Sequence, residues 1–326
     1  LMSVWNCSQV AQPWFEAPAD SHLQLPHLDD QQAIRAAKSF PKGTAQTFDG
    51  FHPRHYGMLS TRQMQALLDL LSFMEATGLT PTVLQAVLTK LIPKHKAECV
   101  ERISMRGIGL NVSLYRFWAR LRQPVARQWE AEHRTPLLGH QAGRSVMEIV
   151  FIQSLRAEAG QCQPTGSKRH SGAFLWDLSN YFDHIDRQLL WSRASSSSFP
   201  LAIAALALNQ YAARRLIGLN TLTLDAAYAE VGIAAGCGLA TFWVQVYALE
   251  PLQVWQQAQP LLELSMFVDD LWTGAEDEQE HKVVGRLTAG AAALHDTITR
   301  ELKCSVAVHK SALVASSDRL LQRLRK

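Results

Sequence analysis

Two short segments of this chain place carboxylates where chemistry could use them. One is Phe174-Leu175-Trp176-Asp177-Leu178-Ser179-Asn180-Tyr181-Phe182-Asp183, and the other is Met266-Phe267-Val268-Asp269-Asp270-Leu271. In each, a strand-like apolar run delivers an Asp at its end. Strands distant in sequence can end side by side at one sheet edge, so Asp177, Asp269 and Asp270 are candidates to converge. Three converging carboxylates repel one another unless cations bind between them. Hard, oxygen-seeking Mg²⁺ suits such donors and keeps ligand positions for phosphate oxygens. Two such ions about 3.5–4 Å apart can activate a hydroxyl and stabilise a leaving pyrophosphate. Taken alone, either segment also fits an ordinary turn, because Asp bonds nearby backbone groups there.

The elements that must position these acids follow from periodicity. Asp29 to Phe40 is weakly helical, and Lys42 to Gly57 is a loop rich in Gly, Pro and His. Met64, Leu67, Leu68, Leu71 and Met74 recur at helical spacing and predict a helix over Ser60 to Thr77. Val87 to Pro93 and Ile103 to Leu110 read as a β-hairpin joined by a charged connection. A helix from Val112 to Glu132 follows, in which Tyr115 to Arg127 reads as core rather than as a nucleic-acid groove. Ser145 and Glu148 can form a capping box for a helix reaching Ala159. Helices are expected over Arg187 to Ala194, Leu201 to Arg215 and Gly238 to Gln257. Strands are expected around Leu216 to Leu224 and over Leu261 to Val268. Val283, Leu287, Ala291, Leu294, Ile298 and Leu302 form one face of a long helix. Val306 to Val314 returns as a strand or strand pair.

Bulk properties narrow the class. The 326 residues are 47% hydrophobic and 19% charged, a soluble globular composition with ample length for a core. Net charge is +3, so a nucleic-acid partner would need positive charge gathered in one groove. No apolar run reaches the roughly 20 residues that span a bilayer, so no membrane is expected. The start carries no signal-peptide pattern, and Leu1 in place of Met suggests a fragment. Cys7, Cys99, Cys162, Cys237 and Cys304 are scattered and contain no CxxC pair. That pattern argues against a zinc ribbon or disulfide framework and favours a reducing intracellular compartment, nucleus or cytoplasm. His52 and His55 flank Pro53 and read as two solvated loop histidines.

A series of motifs, in order, resembles the reverse transcriptases of non-LTR retroelements over about residues 31–315. Thr47-Phe48-Asp49-Gly50-Phe51-His52-Pro53 resembles the early G-x-D-G-x-x-P element, and Leu91-Ile92-Pro93-Lys94 the first fingers motif. Arg106-Gly107-Ile108-Gly109-Leu110 resembles R-P-I-x-L, with Gly107 in place of Pro. Gly139 to Ser145 resembles G-F-x-x-G-R-S, with His140 at the Phe position. Asp177 to Asp183 is similar to palm motif A, D-L-S-K-A-F-D, and Gly232 to Thr241 to motif B. Phe267-Val268-Asp269-Asp270 is similar to the F/Y-x-D-D box, and Lys310 to the lysine of motif D.

The resemblance implies roles. Asp177 and Asp269 would be the main metal ligands, with Asp270 supporting and the Leu178 backbone carbonyl adding one more. The cofactor would be two Mg²⁺ ions, with Mn²⁺ as a substitute. Lys94 and Arg106 would reach the triphosphate from the fingers hairpin, Arg102 being the rival to Arg106; a guanidinium suits phosphate because its planar fork donates several charge-assisted bonds. Phe182 would lie under the incoming sugar and exclude a 2′-hydroxyl, where an RNA polymerase commonly carries an acid. Gly236 would allow close backbone approach to the nucleotide or template, although Ala235 replaces the Gln usual before it, removing one possible hydrogen bond. Lys310 would give a proton to pyrophosphate, unless it is simply a surface lysine.

The implied fold is an α+β right-hand polymerase: fingers and palm, an antiparallel palm sheet backed by helices, and a thumb absent or incomplete. Residues 1–27 would be an irregular lead-in, 28–170 the fingers region with its hairpin at about 87–110, and 171–326 the palm. The implied partners are an RNA template, a DNA primer and dNTPs. An RNA-dependent RNA polymerase and a decayed retroelement fragment that binds nucleic acid without catalysis are the alternatives; Phe182 opposes the first and the intact acids oppose the second.

Overall fold

The computed structural model describes residues 15–93, 105–161, 169–219 and 222–325. Along the chain run α1 (Asp30–Ser39), α2 (Thr61–Thr77), β1 (Ala86–Pro93), β2 (Met105–Asn111), α3 (Ser113–Glu132), α4 (Val146–Gln161) and β3 (His170–Asp177). Next come α5 (Tyr181–His184), α6 (Arg187–Ser196), α7 (Leu201–Ala212), β4 (Arg214–Leu219) and β5 (Leu222–Tyr228). The remainder is α8 (Ala240–Ala258), β6 (Glu263–Phe267), β7 (Asp270–Asp277), α9 (Glu280–Asp296), β8 (Ala312–Ala315) and α10 (Asp318–Leu324). The fold is mixed α and β, with antiparallel pairing dominant.

The chain forms two compact units, one of Leu1–Trp129 with Phe182–Trp243, the other of Glu130–Tyr181 with Val244–Lys326. The first unit contains a four-stranded sheet in the order β2-β1-β4-β5. There β1 pairs antiparallel with β2 and parallel with β4, while β4 and β5 are antiparallel. The expected hairpin is therefore present; its connection lies outside the described residues. The apolar run that begins at Phe199 becomes α7, buried on all sides, with Trp118, Tyr115, Tyr211 and Trp243 fully buried in the same unit. A helix apolar all round belongs in a core.

Two polar arrangements organise this unit. Glu75 of α2 accepts from Arg122 Nε at 2.5 Å and Nη2 at 2.6 Å, and from Trp118 Nε1 at 2.6 Å. Asp49 reaches the first residue of α3, so the Thr47–Gly50 element acts as a long-range helix cap. Its Oδ2 accepts from the Ser113 amide and hydroxyl, each at 2.6 Å, and its Oδ1 from Thr47 Oγ1 at 2.7 Å.

The second unit contains an antiparallel sheet in the order β6-β7-β3-β8, backed by α9 and α10. Val283, Leu287, Leu294, Ile298 and Leu302 are buried as their spacing required, whereas Ala291 is only half-buried and Gly290 takes a buried place on α9. Leu287 and Leu324 both face the Gly172 position of β3.

Four expectations are corrected. The helix read as Leu201 to Arg215 stops at Ala212, and Arg214 opens β4, which pairs with β5 as the strands expected around Leu216 to Leu224. A further strand, β7, starts at Asp270 itself, which periodicity missed because Trp272, Thr273, Gly274 and Ala275 lack clean alternation. Val306 makes only an isolated bridge to Leu178, and residues 307–311 turn before β8. His52 is 8% exposed rather than solvated, because its Nδ1 accepts from the Arg54 amide at 3.1 Å and caps the Pro53–Met58 turn.

Candidate active site

The end of β3 and the turn between β6 and β7 meet in register. Asp177 is the direct cross-strand partner of Asp270, the first residue of β7. One step on, the Leu178 amide donates to the Asp269 carbonyl at 3.2 Å. Phe267 pairs with Asp270, leaving Val268 and Asp269 as the two residues of a tight turn. Directly opposed cross-strand residues have Cβ atoms about 4.5–5.5 Å apart, close enough for like charges to repel. Partial desolvation raises the Asp270 carboxyl above its usual range, and the charges of Asp269 and then Asp177 add to the rise, with Lys310 opposing.

Lys310 joins this group from the turn that precedes β8. Its Nζ lies 3.2 Å from Asp177 Oδ1 and 3.4 Å from Oδ2. The turn is fastened to the end of β3: the Ala307 amide donates to the Asp177 carbonyl at 2.8 Å, and the Asp177 amide to Ser311 Oγ at 3.3 Å.

Asp177, Leu178, Asp269, Asp270 and Lys310 are thus brought to one end of one sheet. Phe182, Gly236 and Arg106 belong to the other unit. Phe182 is half-buried in α5, and its carbonyl accepts from the Ile233 amide at 2.8 Å. Arg106 stands opposite Ile92 on the β1–β2 pair. Lys94 lies outside the described residues.

Among the described residues, no three His, Cys, Asp or Glu side chains are already grouped at metal-holding distances. The donor set nevertheless fits a hard divalent cation. It consists of carboxylate oxygens whose mutual repulsion a cation relieves.

The profile of the family described as reverse transcriptase (RNA-dependent DNA polymerase) matches residues 92–319. The chain belongs to the reverse transcriptase family. A search of curated proteins returned no match. The family's activity is RNA-directed DNA polymerisation, with nucleic-acid template and primer and dNTPs as its partners. Among the described residues, no helix is long and apolar enough to cross a membrane.

Within this reverse transcriptase domain, His140 takes a part that its sequence position only hinted at. It stands where the family pattern has Phe, and its Nδ1 accepts from the Val268 amide at 3.2 Å. Its ring meets Phe267 edge-on at 6.1 Å. Val268 has φ of 59°, in the left-handed region that β-branched residues avoid. That conformation costs roughly 1–3 kcal/mol and persists only where surroundings hold it. His140 supplies one hold; the Gly139 amide, donating to the Met266 carbonyl at 2.8 Å, supplies another.

The motif B segment is fixed by backbone contact. At Gly232, with φ of +89°, a Cβ would stand 2.8 Å from the Asp183 carbonyl oxygen; at Gly236 one would stand 2.8 Å from that of Gly109. The first close approach at Gly236 is therefore to β2 of its own unit. Arg187 is buried and donates to the carbonyls of Gly232 and Ala229. Burial, then the neighbouring Arg215, lowers its pKa to about 9.

Proposed function

We propose that this chain extends a primer 3′-end with dNTPs on an RNA template, as a reverse transcriptase of the non-LTR retroelement type. The observation that carries the reading is the register of Asp177 with Asp270, with Asp269 tied to Leu178, inside a domain of this family. The motif order supports the non-LTR assignment. In this reading residues 28–170 form the fingers region and 171–326 the palm.

Asp177 and Asp269 would hold two Mg²⁺ ions, with Asp270 and the Leu178 carbonyl supporting; bound there, the ions would supply activation of the primer 3′-hydroxyl and charge neutralisation for the leaving pyrophosphate. The remaining roles belong to side chains. Arg106 and Lys94 bind the triphosphate through charge-assisted hydrogen bonds. Phe182 excludes the 2′-hydroxyl of an rNTP by bulk. Gly236 keeps the motif B backbone close to the nucleotide. Lys310 gives a proton to the departing pyrophosphate oxygen. Template and primer are held by backbone contacts and stacking, since base pairing selects the nucleotide.

Primer extension on an RNA template with dNTPs and Mg²⁺ tests the reading. Wild-type protein should extend, and Asp269→Asn should abolish extension while leaving the folded state intact by circular dichroism. Full activity in Asp269→Asn would remove the carboxylates from the mechanism. Absence of extension in the wild type would favour the decayed-fragment alternative.

A further inference from the structure

Lys310 already occupies the carboxylate that the metal reading assigns to a cation. Its ammonium faces both oxygens of Asp177. The placement is built into the backbone. The Ser179 amide donates to the Ser305 carbonyl at 2.8 Å, Leu178 bridges Val306, and the Lys310 amide closes the turn on the Ala307 carbonyl at 2.9 Å. Ser311 Oγ accepts from the Asp177 amide at 3.3 Å and donates to the Ala307 carbonyl at 3.1 Å. The turn that carries Lys310 therefore moves with the strand that carries Asp177.

A carboxylate offers about four lone-pair sites on two oxygens. An ammonium that faces both oxygens uses the sites a metal ligand must present. The Lys310 side chain is 54% exposed and that of Asp177 25%. The pair can therefore separate into solvent without opening the core. A half-exposed pair of this kind is weak, so a divalent cation can displace it.

Resting on the metal-binding reading above, we propose that Lys310 is a resident counter-ion of Asp177 that competes with the divalent cation for that carboxylate. Lys310 neutralises Asp177 when no metal is ligated, and releases it when metal binds. The same residue then has two successive partners, the carboxylate first and the nucleotide's phosphates afterwards.

The test is Mn²⁺ binding to the purified chain without nucleotide or nucleic acid, read from the EPR signal of the free ion. Lys310→Met should bind Mn²⁺ about two- to fivefold more tightly than wild type, the scale of a half-exposed ion pair. Lys282→Met, which removes an equal charge from the exposed surface of α9, should leave the affinity unchanged. A second readout uses wild-type protein with ¹³C-dimethylated lysines, the Lys310 resonance being identified by its loss in Lys310→Arg. That resonance should shift on titration with diamagnetic Mg²⁺, with the midpoint of binding. Equal affinity of wild type and Lys310→Met, or a Lys310 resonance unmoved at saturating Mg²⁺, overturns the proposal but leaves the metal reading standing. Absence of Mn²⁺ binding by wild type, or undiminished binding by Asp177→Asn, overturns both. Should Lys310→Met fail to fold, the lysine resonance of the wild type decides.

Discussion

The Asp49 carboxylate accepts both the amide and the hydroxyl of Ser113, each at 2.6 Å, across 64 residues of sequence. It thereby places a negative charge at the N-terminus of the twenty-residue α3, where the helix dipole favours it.

Stability should depend on that contact and on pH. Burial alone would raise the Asp49 carboxyl, but bonds from Ser113 and Thr47 outweigh it and hold the group below its usual range. A carboxyl lowered in the folded state contributes stability that is present above the unfolded pKa of about 3.9. That contribution is lost as pH falls through the folded value. Asp49→Ala should cost about 1–3 kcal/mol at pH 7. The gap between variant and wild type in urea unfolding should shrink below about pH 4. A pH-independent gap would show that the carboxylate's charge is immaterial.

The Glu75–Arg122 pair makes a larger prediction. Side chains of both partners are almost completely buried. Removing one partner strands the other charge, at a cost of about 3–5 kcal/mol. Urea unfolding of Glu75→Leu and of Arg122→Met should each show that loss. The double variant should lose less than the sum, because neither charge is then left alone. Simple additivity would mean that the two side chains do not interact energetically.

His140 should matter to turnover through the turn it braces. His140→Ala removes the acceptor of the Val268 amide and the ring against Phe267, so the strained turn that presents Asp269 loosens. A lost hydrogen bond of about 1–1.5 kcal/mol corresponds to roughly a tenfold lower kcat. His140→Phe keeps the ring contact alone and should fall between Ala and wild type. Stopped-flow single-nucleotide incorporation measures this, and identical rates in all three proteins would dismiss the brace.

The proposed role of Phe182 can be tested by separating DNA from RNA synthesis. Phe182→Val should raise rNTP incorporation relative to dNTP by tenfold or more, an order-of-magnitude expectation for removing a steric block and the desolvation of a hydroxyl. The ratio of kcat/KM for rNTP and dNTP on one primer and template is the readout. Wild-type preference for rNTPs would instead support the RNA polymerase alternative.

The meeting of the acids was the most legible feature of the sequence, because strand ends announce themselves. An apolar run closed by Asp177, and another closed by Asp269 and Asp270, needed only a shared sheet to meet. Helices with a clear stripe, α2 and α9, were equally readable. Less legible were places where partners are remote. Asp49 looked like part of a motif, yet its bonding is to Ser113, which local spacing cannot indicate. His52 looked solvated because nothing in a Gly- and Pro-rich loop foretells burial. β7 was hidden because its register comes from β3 and β6 rather than from alternation of its own. His140 was noticed only as a departure from a pattern; its bond to Val268 depends on a turn conformation that residue types do not disclose.

The parallel pairing of β1 with β4 sets a schedule for synthesis. β1 ends at Pro93 and β4 begins at Arg214, with β2, β3 and the helices α3 to α7 emerging between them. At roughly 5–20 residues per second on the ribosome, one edge of β1 waits about 6–24 seconds for its neighbour. During that interval Ala86–Lys90 of β1 presents unpaired backbone beside Val87 and Leu88, a template for pairing with another nascent chain. A chain cut short before Arg214 never closes that edge. Nascent-chain yield should therefore respond to translation speed and to chaperone supply over the stretch from Pro93 to Arg214, well before Asp177 and Asp270 can pair.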